Sequence, residues 1–439
     1  MKNKITIIGS GLTGPVMGTL LAKNNFNVDI FERRSDMRSS NTYSGRSINL
    51  ALSQRGINTL KEINIFDDIK NDIIPMSGRL IHDINGDTNF QPYGSKKNEV
   101  IYSVSRSDLN KKLINKAEKI RKIKFYFDQE LTDVDLKNKI LIFNNKNKII
   151  FNHVIGCDGS SSVLRKKMIN KNSSNYKNVP LGHGYKELTI PPDNSNNYKI
   201  DPNVLHIWPR NDFMLIALPN TNKTFTCTLF MPMNGSLSFD SINNLNDIEK
   251  FFKTYFPDLK KLIPDFIDQY LNNPIGKLAT VFMDPWHYND TALLIGDAAH
   301  AIVPFFGQGM NAAFQDCSIL NQLIVKNKNN WGKIFSTFSK VHVKNGHAIA
   351  NMAIENYQEM RNSVNKEKYK LERNIELRLE KELGNLFIPR YSMVAFNDLP
   401  YSEVYKKGII QKKIIQKLIE KDPSGKKIDL HMVRKYLLK

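Results

Sequence analysis

Only three cysteines occur in the 439 residues, Cys157, Cys227 and Cys317, scattered and odd in number. That excludes a disulfide framework and a cysteine-based zinc site, and it points to a reducing compartment. No apolar run reaches the roughly eighteen residues that a membrane-spanning helix needs. The first residues, Met-Lys-Asn-Lys, have no apolar h-region or cleavage site behind them, so no secretory signal is expected and the cytoplasm is the default location. Acidic residues are few beside basic ones, 43 against 63, for a formal charge of +20. The lysines are spread amid Asn and Ile, without a zinc module, a recognition helix or a single Lys/Arg block, so no nucleic-acid partner is expected. The surplus reads as a solvated basic surface that attracts anionic substrates or cofactors. Internal repeats and low-complexity linkers are also missing, as are a Ser-His-Asp arrangement, a paired-carboxylate site and a metal-ligand cluster. No catalytic side chain is nominated.

What is present is an ordinary globular composition, 41% apolar and 10% aromatic, in a chain long enough for two intimately joined domains. Lys4 to Ile8 reads as a buried strand. A turn and a helix from about Gly14 to Asn24 follow, then a strand from Val28 to Phe31 ending at Glu32. Ser47 to Ile63 is expected to be helical. A short strand at Ile101 to Ser103 leads into a helix from about Ser107, capped by Ser107 with Asp108. Lys124 to Asp135 and Lys139 to Phe151 read as a hairpin turning at Lys137-Asn138. From Gly182 to Pro232 the pattern alternates, with strands at Val204 to Trp208, Met214 to Leu218 and Thr224 to Phe230. After Trp331 the chain becomes mostly helical.

The first chemistry-bearing motif is G-S-G-L-T-G at Gly9, Gly11 and Gly14, between strand and helix, with Glu32 at the end of the next strand. Glycine lets the backbone turn tightly and approach a pyrophosphate, the helix start supplies N–H donors, and the acid accepts from a ribose diol. Only one such unit is evident. Gly307-Gln308-Gly309 follows a Pro-Phe-Phe loop and reads as a helix start. The second motif is Gly296-Asp297, after an apolar strand, where a short acid can hold the hydroxyls of a flavin's ribityl chain. A helix from about Met310 would aim N–H groups at the flavin pyrimidine edge. One permanent FAD and a transient nicotinamide cofactor, NADH or NADPH, fit one fingerprint plus a distant Gly-Asp. Asp158, in Cys157-Asp158-Gly159, is either a turn residue or a group between FAD and the nicotinamide cofactor; spacing does not decide. Arg106 is either a surface arginine or a flavin or pyrophosphate contact. His300 reads as a core histidine.

These three marks resemble the single-component FAD-dependent aromatic hydroxylases. G-R-S-I-N-L-A-L-S at Gly45 to Ser53, S-V-S-R at Ser103 to Arg106, H-I-W-P-R at His206 to Arg210, F-T-C-T-L-F-M-P at Phe225 to Pro232, V-P-F-F-G-Q-G-M-N at Val303 to Asn311 and F-I-P-R-Y at Phe387 to Tyr391 narrow the resemblance to the kynurenine 3-monooxygenase family. It implies an α/β fold: a Rossmann-like FAD-binding domain, residues 1–180 with 285–330; an antiparallel-sheet substrate domain, 181–284; and a C-terminal helical region, 331–439. It implies NADPH- and O2-dependent hydroxylation of L-kynurenine to 3-hydroxykynurenine through a flavin hydroperoxide. Cofactor residues would be Thr13, Phe31, Glu32, Arg33, Arg34, Ala51, Arg106, Leu131, Asp297, Met310 and Asn311. Substrate residues would be Arg79, Tyr93, Asn356 and Tyr391, with Pro304, Phe305 and Phe306 walling the ring. An arginine suits a carboxylate in an apolar pocket because it binds bidentately. Family members of mitochondria-bearing organisms carry a hydrophobic C-terminal anchor. Here I-I-Q-K-K-I-I-Q-K-L-I is expected to be an amphipathic helix packed on the enzyme, of a soluble, bacterial-type form.

Overall fold

The computed structural model describes residues 3–39, 49–96, 98–170, 175–362 and 367–438. The chain divides into two compact units: residues 1–72, 104–179 and 279–350 form the first, and 73–103, 180–278 and 351–439 the second.

The first unit is built on a six-stranded sheet in the order His287–Tyr288, Ala292–Leu294, His153–Gly156, Lys4–Ile8, Asn27–Phe31, Ile123–Tyr126. All pairs are parallel except the edge pair of His287–Tyr288 with Ala292–Leu294. The central strand is a nearly unbroken apolar run, with Ile5, Ile7 and Ile8 all buried, as a strand covered on both faces requires. The Thr13–Lys23 helix returns from it and buries every residue from Gly14 to Ala22. Gly18 lets this helix settle on the sheet: a Cβ there would lie 2.9 Å from Ile30 Cδ1.

The second unit holds most of a seven-stranded sheet in the order Gly276–Asp284, Asn175–Ile190, Phe225–Pro232, Phe213–Pro219, Leu205–Arg210, Gly78–His82, Thr88–Pro92. Its core gathers Trp208, Phe213, Phe225, Phe251, Phe252, Phe256 and Phe266, so the Leu245–Tyr255 and Phe266–Asn272 helices cover one sheet face. The Glu367–Leu383, Tyr401–Lys421 and Leu430–Leu437 helices close on a separate core that includes Leu379, Phe387, Ile414, Ile415, Leu418 and Val433. The amphipathic C-terminal segment therefore packs through Ile414 and Ile415 and leaves Ile409 and Ile410 outward. Among the described residues, no helix is long and apolar enough to cross a membrane.

Several local expectations need correction. Asn49–Leu52 is a strand, and the helix begins only at Gln54; Gly45 to Ile48, the start of the family block there, lie outside the described residues. Ile123–Tyr126 joins the parallel sheet beside Asn27–Phe31, and only Leu131–Asp135 pairs with Ile140–Phe143 around Lys137-Asn138. The Arg106–Glu118 helix is capped by Ser105, whose hydroxyl accepts from Asp108 N, two residues earlier than the expected Ser107 cap. The two units also cut the chain differently from the three-part scheme. Residues 73–103 join the second unit because Gly78–His82 pairs in parallel with Leu205–Arg210, Arg79 opposite Leu205. The Trp331–Asn362 helix begins in the first unit and ends in the second.

Candidate functional site

The Lys4–Ile8 strand delivers Gly9 at φ +103°, a backbone that side chains rarely tolerate. A Cβ on Gly9 would lie 2.3 Å from Cys157 O, and one on Gly14 would lie 2.0 Å from Gly9 O. These two glycines are demanded by the protein's own packing. Gly11 is not: no atom lies within 4 Å of the place its Cβ would take. The Thr13–Lys23 helix has no side-chain cap at its start, which leaves its first N–H groups for an anion. Glu32 closes over the turn, its Oε2 accepting from Ser10 N at 2.7 Å and its Oε1 from Arg34 N at 3.1 Å. Among the described residues, three buried oxygens of this neighbourhood, Ser10 Oγ, Asn110 Oδ1 and Asp158 Oδ1, find no hydrogen-bond partner. Open space at Gly11, an uncapped helix start and orphaned oxygens fit the pyrophosphate and sugar hydroxyls of a dinucleotide such as FAD.

Asp158 serves the turn that follows its strand. Its Oδ2 accepts from Val163 N at 2.8 Å and Leu164 N at 3.3 Å, so it helps to start the Val163–Ile169 helix. Its other oxygen is unpartnered, and burial pushes its carboxyl up. Phe31 is a core ring, stacked on Tyr126 with centroids 4.8 Å apart, and its carbonyl accepts from Gly9 N at 2.7 Å. Arg33 and Arg34 are exposed. Arg106 is half-buried at its helix start, and Leu131 is buried at the start of its strand.

On the far side of the fingerprint, Ala292–Leu294 leads to Gly296 at φ +59° and then Asp297. Asp297 is exposed between buried neighbours, so its carboxylate faces outward. A Cβ on Gly296 would lie 3.1 Å from both Ala313 Cβ and Thr13 Oγ1, which places the Gly-Asp turn against the start of the fingerprint helix. Asn311, on the Gly309–Lys326 helix, spends its side chain on the protein: Oδ1 accepts from Ser53 N at 2.9 Å, and Nδ2 donates to Ala51 O and to Gly307 O, both at 2.8 Å. It thereby joins Ala51 to the helix start, beside the nearly buried Met310. Phe305 and Phe306 are buried in a short 3-10 turn, and Pro304 is exposed.

In the second unit three of the four expected substrate residues touch. Arg79 projects from the Gly78–His82 strand and is buried. Its guanidinium carbon lies 5.0 Å from the centroid of Tyr391 and 5.8 Å from that of Tyr93. The two tyrosine rings stack on each other at 4.9 Å. Arg79 Nε, which is buried, has no hydrogen-bond partner among the described residues. Burial opposes the charge of Arg79, but the fields of Tyr369, Tyr391, Tyr93 and Glu359 outweigh it and raise its pKa. The fourth residue, Asn356, is buried on its helix and donates to Met360 Sδ at 3.2 Å. The sequence reading missed the surroundings of this arginine. Arg373 donates to Tyr93 O at 2.7 Å and to Pro92 O at 3.2 Å, and Tyr369 donates to Glu359 Oε1 at 2.9 Å. The one available signal was helical spacing, because Glu359 sits one turn beyond Asn356.

A model of the FAD-binding domain family matches residues 2–229 and 265–334. The kynurenine 3-monooxygenase of Dictyostelium discoideum is 40% identical, over 100% of this chain and 99% of its own. That of Myxococcus xanthus is 39% identical, over 98% and 93%, and that of Sus scrofa 40%, over 94% and 88%. Among solved structures, 2-methyl-3-hydroxypyridine-5-carboxylic acid oxygenase superposes with a TM-score of 0.68 at 17% identity, covering 86% of this chain and 97% of that one. Tetracycline destructase Tet(51) does so at 0.63 and 19%, covering 89% and 99%. These two share the fold. With a dinucleotide fingerprint, a Gly-Asp turn against it and full-length relatives at this identity, the chain belongs to the kynurenine 3-monooxygenase family of FAD-dependent monooxygenases.

Proposed function

We propose that this protein hydroxylates L-kynurenine to 3-hydroxykynurenine, consuming NADPH and O2, with FAD held by the first unit. The observation that carries the substrate assignment is the buried Arg79 against the stacked rings of Tyr93 and Tyr391. A buried guanidinium is costly, and a carboxylate is the ligand that repays it best. Kynurenine supplies that carboxylate at its amino-acid end. A neutral aromatic would leave the guanidinium unmatched, and that weighs against a sister hydroxylase of phenols or polyketides.

FAD, when bound, would supply the redox chemistry that couples NADPH oxidation to insertion of one oxygen atom of O2. Glu32 would accept from its ribose, the Thr13–Lys23 helix start would supply N–H groups to its pyrophosphate, and Asp297 would take the ribityl hydroxyls. Arg79 fixes the substrate carboxylate, and the Tyr93 and Tyr391 hydroxyls add polar partners. Asn356 is the remaining candidate at the amino-acid end, while Pro304, Phe305 and Phe306 are candidate ring contacts. The ring carbon attacked stands beside an electron-donating amino group, so no strong protein base is demanded. The protein's share is orientation, exclusion of water and support of charge. Three buried thiols and the absence of a membrane-crossing helix among the described residues support a cytoplasmic location. The test is NADPH oxidation with and without L-kynurenine, with the product identified by mass. Kynurenine-stimulated oxidation that yields no oxygenated kynurenine refutes the assignment.

A further inference from the structure

The short helix that carries Asp297, Asp297–His300, is four residues long. One turn of helix does not hold itself in water, because its nucleation cost is never recovered by propagation. Its N-cap is Gly296, which offers no side chain. Something else must fix the direction in which Asp297 points.

We propose that Asp316 is a positioning residue for FAD: one of its carboxylate oxygens pins both ends of the turn that carries Asp297, with His300 as its partner. Asp316 stands on the Gly309–Lys326 helix and is 4% exposed. Its Oδ2 accepts from Gly296 N at 2.9 Å and from His300 Nε2 at 2.6 Å. Gly296 immediately precedes the turn and His300 ends it. The carboxylate only accepts here, so the proton of the His300 ring sits on Nε2. Burial lowers the basicity of His300, but Asp316 beside it prevails, and the net shift is upward.

The partner is itself held. His300 stacks on Trp286 with centroids 4.9 Å apart, and Trp286 donates from Nε1 to Met283 O and from its backbone N to Ser339 Oγ, both at 2.8 Å. A Cβ on Gly346 would lie 2.7 Å from Trp286 and 3.2 Å from His300 Cβ, so the long helix closes the space behind both rings. His342 faces the other oxygen of Asp316, its Nδ1 at 3.7 Å. If filling space were the whole requirement, an apolar residue would serve this site, since a buried charge must recover a large desolvation penalty. A carboxylate is needed if two N–H groups, one at each end of a turn, must converge on a single point. The same helix also carries Met310 and Asn311, so the clamp refers Asp297 to the element that holds Ala51.

The inference rests on FAD being the cofactor and is independent of the substrate assignment. A wild type that retains FAD but fails to oxygenate kynurenine would refute the substrate and leave the clamp standing. The experiment is dialysis of the purified yellow holoenzyme, following flavin per protein, with the thermal midpoint recorded alongside. Asp316→Ala should bind FAD at least roughly tenfold more weakly, the scale of one lost charge-assisted hydrogen bond. His300→Gln, whose amide can still donate, should retain more FAD than His300→Ala. Ser318→Ala, which loses a bond to Glu62 from the same helix, is the control. If Asp316→Ala does not fold, Asp316→Asn is read the same way. Wild-type FAD retention in a folded Asp316 variant overturns the proposal. So does flavin loss that merely tracks the fall in thermal midpoint along the line set by Ser318→Ala.

Discussion

Three glycines of one turn have different physical reasons to be glycine, and substitution separates them. Gly9 and Gly14 face backbone at 2.3 Å and 2.0 Å from a Cβ that neither has, so alanine at either should destabilise the fold itself. Gly11 faces open space. Gly11→Ala should therefore melt at the wild-type temperature yet lose FAD on dialysis, because the methyl group stands where a pyrophosphate approaches. A lowered midpoint with full flavin retention would contradict this. Arg79→Ala belongs to the same scale. Losing a charge-assisted pair worth about 1.5–3 kcal/mol should raise the kynurenine KM roughly 10- to 100-fold, with FAD content unchanged. An unchanged KM would remove Arg79 from substrate binding.

At the scale of elements, the Gly309–Lys326 helix organises the cofactor side. Asn311 alone makes three hydrogen bonds from a fully buried amide. Asn311→Leu should cost about 2–5 kcal/mol by orphaning Ser53 N and Ala51 O, read as a shift in urea midpoint. That contact also explains what sequence reading could see. The fingerprint strand, turn, helix and acid were legible because they are local. The Asn49–Leu52 strand was not, because the residue that holds it lies some 260 positions downstream. Ile123–Tyr126 was read into a hairpin for the same kind of reason, since its partner strand is Asn27–Phe31. Arg79 and Tyr391 came from the family resemblance; nothing local in either segment announces a guanidinium against a stacked pair of tyrosines.

A second element carries a pH dependence. His206 Nε2 donates to Asp201 O at 2.7 Å, so its Nδ1 accepts from His82 Nε2 at 2.8 Å, and Trp208 stacks on His82 at 4.1 Å. Burial first, then His206 and Arg210, hold the pKa of His82 down to about 3. The unfolded chain takes up a proton near pH 6.5 that the folded chain refuses, so stability is complete above that pH and falls as pH drops from about 6.5 toward 3. Urea midpoints at pH 7 and pH 5 should differ less in His82→Phe than in the wild type. Equal pH dependence in both would refute the assignment to this pair.

For the whole molecule, the charge of +20 matters more to the co-substrate than to the substrate. NADPH is polyanionic, whereas kynurenine is a zwitterion with no net charge. The KM for NADPH should therefore rise with ionic strength while that for kynurenine stays nearly flat. Parallel salt dependence would exclude steering by the basic surface. The division into two units puts the expected flavin residues in one and the Arg79 cluster in the other, the first drawn from three stretches of chain and the second from two. No single window of sequence contains either set, and the expectation of both came from the family resemblance. The central claim is tested most directly by supplying labelled dioxygen, L-kynurenine and NADPH to the purified holoenzyme and locating the label. The account predicts one labelled oxygen on the ring carbon beside the amino group. NADPH oxidation that gives only peroxide, or label at any other position, would contradict it.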